Sequence, residues 1–181
     1  MGEKAMINID FYSNEIINRE FKVGGLAVYP AHGVGRIESI ETRVINGSKH
    51  DFYILKILEN SMIIMIPKEN ASSVGLRNLI EEDDIPKVYS VIKEKEIQID
   101  NQTWNRRYRE YMEKIKTGSL FDVAGVYRDL FLRRMTKDLS FGERKLFDTA
   151  QSLLIREICT AKKVEADCIL SEIEALFIPL I

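Results

Sequence analysis

Residues 101–109, Asn101-Gln102-Thr103-Trp104-Asn105-Arg106-Arg107-Tyr108-Arg109, interleave one indole and one phenol with three guanidinium groups. Aromatic rings stack on or wedge between bases, and cations hold phosphates, so this pattern suits contact with nucleic acid. On a helix, Trp104, Tyr108, Tyr111 and Ile115 share one face. Arg106, Arg109 and Lys116 lie opposite, with Arg107 and Lys114 on the flank. Such a stripe also fits a helix turned into a core. Trp104 in the first turn can instead project past a bundle end, and the residues alone leave both readings open.

Other chemistries find little support. His32 lies in a Pro30-Ala31-His32-Gly33 turn and His50 flanks a hairpin, with no cysteine near either to complete a metal site. Gly33-Val34-Gly35 is far short of a dinucleotide fingerprint, and there is no Gly-Lys-Ser/Thr phosphate loop. The acidic run Glu81-Glu82-Asp83-Asp84 lacks EF-hand spacing and reads as a helix start. No serine or cysteine has a nucleophile elbow around it. No catalytic residue, metal or cofactor is expected.

The bulk properties agree with a folded binding protein. Of 181 residues, 45% are hydrophobic and 30% charged, enough for one domain or two small ones. No apolar stretch nears the roughly 18 residues that span a bilayer, and no signal segment is evident, so a cytoplasmic protein without membrane contact is expected. Cys159 and Cys168 are read as reduced core thiols. Net charge is −2 but falls in blocks. Residues 81–100 carry seven acids and three bases, a net −4, and 101–117 carry five bases and two acids, a net +3. Contact with a polyanion must then be local and only modestly salt-dependent.

The elements that position these groups change character along the chain. Residues 1–20 read as a tail. From residue 21 to 80 short strands dominate: Val23 to Tyr29, a strand bent near Gly33 and Gly35, an Asn46-Gly47 hairpin turn, Asp51 to Leu58, and Met62 to Ile66 stopped by Pro67. Four or five such strands predict a small SH3-like β barrel. Its edges suit docking by another protein, with Met62, Met65 and Pro67 as an adaptable apolar contact. Residues 81–181 predict an all-α bundle, so the fold class is α+β with two domains. Helices are expected from Ile85 to Lys95 with Pro86 in the first turn, from an Asp100 or Asn101 cap to Lys116, and from Ser119 to Met135. A further helix follows the Ser140-Phe141-Gly142-Glu143 capping box, burying Phe147, Ala150, Leu154, Ile158 and Ala161. The last, from Glu165, carries Ile169, Ile173 and Leu176.

At this point several segments are similar to a known family. Gly25-Leu26-Ala27-Val28-Tyr29-Pro30-Ala31-His32-Gly33-Val34-Gly35-Arg36-Ile37 resembles the opening of the CarD/CdnL bacterial transcription regulators, shared with the polymerase-binding module of the transcription-repair coupling factor. Met65-Ile66-Pro67, Trp104 with Arg107, and Leu139 to Asp148 look like the same family, over about residues 21–178. The resemblance implies a nucleoid-associated protein with a Tudor-like β module that grips the β subunit of RNA polymerase and a helical domain that touches promoter DNA at the upstream edge of the melted bubble. There Trp104 would be the minor-groove wedge, with Arg106, Arg107 and Arg109 as phosphate contacts. Met65, Pro67, Arg36 and Ile64 would form the polymerase-binding set. Tyr108 interrupts a run that is often continuously basic, and no AT-hook-like extension is present, which implies the short, stand-alone form. The expected function is stabilisation of the open complex without a small-molecule substrate. The alternative is a protein–protein adapter that never meets DNA.

Overall fold

The computed structural model describes residues 20–94 and 103–178. The expected tail, the Asp100 or Asn101 cap and the Lys95 helix end lie outside these residues. In the N-terminal half, β1 (Leu26–Tyr29), β2 (Gly33–Ile45), β3 (Ser48–Ile57) and β4 (Ile63–Pro67) form one antiparallel sheet in the order β1-β2-β3-β4. It curls as a half-barrel over Ala27, Ile37, Tyr53, Leu55, Ile57, Ile66, Ala71 and Leu76. Gly35 is required by close packing: a methyl group there would stand 2.8 Å from the Leu55 side chain. Asn46 and Gly47 both take positive φ, 50° and 83°, as a type I′ hairpin needs.

The strands number four, within the expected count, but two are longer than short-run reasoning suggests. β2 has 13 residues and β3 has 10, and their paired ends at 41–49 are exposed beyond the core. Backbone pairing from the tight turn carries the ladder where no apolar face supports it. An irregularity between Ile37 and Ser39 shifts the register, so the alternation that buries Ile37 changes phase before Ile40.

The C-terminal half comprises α1 (Ile85–Lys93), α2 (Trp104–Lys116), α3 (Leu120–Thr136), α4 (Phe141–Lys162) and α5 (Ala166–Phe177). Boundaries follow local chemistry. Pro86 sits in the first turn of α1, where the missing N–H is not needed. Ser119 caps α3 by accepting from the Asp122 N–H. Ser140 and Glu143 form the reciprocal capping box of α4. Thr103, extended and without a side-chain cap bond, occupies the N-cap position of α2.

α3 is the central helix, buried along Leu120, Val123, Ala124, Val126, Tyr127, Leu130 and Phe131. Tyr127, Phe131, Phe147 and Phe177 gather around it, with Phe131 and Phe177 stacked at 3.8 Å. Each such fully covered side chain contributes about 1.5–3 kcal/mol. Phe147, Ala150, Leu154 and Ile158 of α4 are buried, as the 3–4 spacing predicts, whereas Ala161 is half-buried near the helix end. In α5 Ile169 and Ile173 are buried, and Phe177 rather than Leu176 completes the stripe. Both cysteines are free: Cys159 is half-buried against the helical core, whereas Cys168 is exposed and not core. Cys168 precedes Ile169, and one residue turns the side chain by about 100° around the helix, out to solvent.

Candidate nucleic-acid interface and docking face

At the start of α2 the aromatic face is graded. Ile115 is 1% exposed, Tyr111 and Trp104 are half-buried, and Tyr108 is 42% exposed. The expected stripe is therefore core at its C-terminal end and surface at its N-terminal end. The Trp104 and Tyr108 rings lie 5.4 Å apart at 56°. The indole edge passes the start of α4, where a methyl group on Gly142 would come within 2.9 Å of Trp104 Cζ2. Burial, then the Asp129 carboxylate, pushes the Tyr111 phenol up to about 12, so it stays neutral.

The three arginines separate. Arg106 is exposed and pairs along the helix with Glu110 at 3.3 Å. Arg109 is exposed. Arg107 turns inward, its side chain 14% exposed, with Nη2 3.4 Å from Glu143 Oε1. Glu143 is a buried hub. Its Oε1 also accepts from Arg133 Nε at 2.7 Å, and its Oε2 from the Ser140 N–H at 2.9 Å. Burial acts to raise the Glu143 carboxyl, but the Ser140 hydrogen bonds and the Arg133 guanidinium outweigh it and hold it below the ordinary value. Sequence reasoning grouped Arg107 with its neighbours because its partner lies 36 positions away.

One residue escaped that reasoning. Phe141 is 86% exposed at the first position of α4, beside the Gly142 that touches the indole. The sequence signal was present, a large apolar residue inside a capping box, where the first turn points away from the core. Arg144 and Lys145 follow in the same turn and are exposed. The bundle end thus presents a half-covered indole, a free phenyl ring and several cations.

The other face lies on β4. Ile63 and Met65 are 55% and 42% exposed, and Pro67 is half-buried on the same side. Ile64 packs against the sheet core, because successive strand residues alternate faces. Arg36 is exposed and pairs in register with Lys56, which pairs with Ile63. Of the expected polymerase set, Arg36, Met65 and Pro67 share the outer side and Ile64 lies on the inner one. β4 is also a sheet edge, with β3 its only neighbour among the described residues. Among the described residues, no three His, Cys, Asp or Glu side chains converge as metal ligands would. No helix there is long and apolar enough to cross a membrane.

Comparison with known proteins follows the same division. Residues 21–80 match the family model "CarD-like/TRCF RID domain", and residues 87–174 match "CarD, C-terminal domain". The chain is 31% identical over 144 residues to "Putative transcription factor YdeB" of Bacillus subtilis (strain 168), covering 80% of this chain and 94% of that protein. This chain belongs to the CarD/CdnL family. A solved structure, "CdnLNt from Myxoccoccus xanthus", matches 34% of this chain and 87% of its own at 50% identity, with a TM-score of 0.30. The CarD/CdnL family is one of transcription factors, and its RID module is the RNA-polymerase-interacting part. In this member the RID match coincides with the curled sheet, and the C-terminal match runs from the start of α1 to near the end of α5.

Proposed function

We propose that this CarD/CdnL family member docks on the β subunit of RNA polymerase through the outer side of β4 and holds the open promoter complex with Trp104. The observation that carries the reading is an indole only half covered at a bundle end, with Phe141 exposed beside it and the exposed Arg106 and Arg109 on the opposite side of the same helix. A ring inserted at the upstream edge of the bubble offsets part of an unstacking cost of about a few kcal/mol. Few cations are available and net charge is −2, so the DNA contact by itself is weak. Tethering to polymerase compensates by raising local concentration to roughly the millimolar range. Stacking and phosphate contact carry little sequence information, so the effect is on open-complex lifetime and not on promoter choice.

The test is Trp104→Ala in the full chain. The variant should stay folded, melting somewhat lower because the covered part of the indole is lost, and bind the β subunit equally well, yet fail to prolong open complexes on a promoter. A folded Ala variant that prolongs them as the wild type does would overturn the wedge. The rival reading, an adapter that never meets DNA, draws on the part of the indole packed at Gly142. Trp104 is the single tryptophan, so acrylamide quenching reports on it alone. Shielded emission in the free protein favours the adapter, and protection that appears only in the promoter complex favours the wedge.

A further inference from the structure

Arg77 stands where the chain leaves the β module, and it joins three separate parts of the fold. Its main chain extends the sheet: the Val28 N–H donates to the Arg77 carbonyl at 2.8 Å, and the Arg77 N–H donates back at 3.1 Å. Its guanidinium then crosses to the helical module. Nη1 and Nη2 grip the two oxygens of Glu157 in α4 at 2.5 and 2.8 Å. Nε donates to the Gly118 carbonyl, in the turn between α2 and α3, at 2.8 Å. Glu157 is 2% exposed and also accepts from the Ile80 N–H at 3.0 Å. Around this fork Pro30 presses on Gly118, where a methyl group would stand 2.9 Å from its Cγ, and Leu153 of α4 presses on Gly33.

We propose that Arg77 and Glu157 are positioning residues that fasten the RID module to the base of the Trp104 helix and so fix the span from β4 to the indole. The inference rests on the function proposed above and adds what sets its geometry. A buried ion pair is a weak source of net stability, but a bidentate fork accepts one orientation. That property matters here because tethering raises local concentration only when both contacts can be made at once. A module free to swivel spreads the indole over a larger volume and dilutes it at the bubble edge. The pair is placed for this work: Gly118 ends the helix that Trp104 begins, and Val28 belongs to the sheet that carries β4.

The decisive variant replaces both charges with apolar side chains of similar size, Arg77→Met with Glu157→Leu, so that no buried charge is left alone. Three quantities are measured on the full chain: β-subunit affinity, nitrogen-15 relaxation of each module, and open-complex lifetime. The expected result is unchanged β-subunit affinity, separate tumbling of the two modules, and a lifetime extension reduced by roughly tenfold. Common tumbling in the folded double variant would overturn the proposal, and so would separate tumbling with a full lifetime effect. Should the double variant not fold, Arg77→Lys keeps the charge, loses the fork and gives the same two readings. If the wild type itself fails to prolong open complexes, the proposed function falls, while relaxation still decides whether this pair joins the modules.

Discussion

Gly142 at the start of α4 lies under the edge of Trp104 at the start of α2, with no space for a methyl group between them. Two effects therefore oppose each other in Gly142→Ala. Alanine favours the helix by about 1 kcal/mol over glycine. Its methyl would stand 2.9 Å from Cζ2, and because the indole is only half covered, the ring is the part that yields. The variant should keep or slightly raise its melting temperature while Trp104 emission shifts to the red and acrylamide quenching rises. Unchanged emission would show that the ring is not held at this contact.

Acid sensitivity should trace to Glu143. Its folded carboxyl is held below the ordinary 4.5, so the unfolded chain takes up its proton first as pH falls. The stability it contributes is complete above 4.5 and is lost as pH drops through the lower folded value. Glu172, held low by Lys162 and then by the Tyr89 hydroxyl, acts in the same direction. Glu143→Gln should flatten the melting temperature against pH below about 4.5 at some cost in stability near neutrality. A wild-type slope retained in the variant would assign the effect to other carboxylates.

The arginines should divide into two classes. Arg109→Gln should leave melting unchanged and lower the slope of log affinity against log salt by about one unit, as expected for one lost phosphate contact. Arg107→Gln should do the reverse. It weakens a hydrogen-bonded pair to a buried carboxylate, costing about 1–3 kcal/mol, with a smaller change in salt slope. Melting curves beside salt titrations of promoter-complex binding separate the two.

The docking face should behave like exposed surface in the free protein. Ile63→Lys and Met65→Lys replace side chains already more than two-fifths exposed, so stability should change by no more than about 0.5 kcal/mol. Pull-down of the β subunit should be lost. Ile64→Lys, directed at the sheet core, should instead lower the melting temperature. Binding that survives both outward substitutions would move the docking site elsewhere on the module.

Much of this molecule is written in local chemistry. Asn46-Gly47 determines a tight turn because both positions need positive φ. Ser140 and Glu143 determine a helix start, and apolar residues spaced by three and four determine which side of α4 is buried. Family motifs in Gly25 to Ile37 and around Trp104 were legible for the same reason, since each is contiguous. Tertiary packing decided what those rules leave open. It made one aromatic stripe core at Ile115 and surface at Tyr108, because neighbouring helices cover only one end. It took Arg107 to Glu143 and Arg77 to Glu157, pairs 36 and 80 positions apart. Propensity and periodicity act over a few residues, whereas a side chain's exposure and partner depend on what distant segment packs across from it.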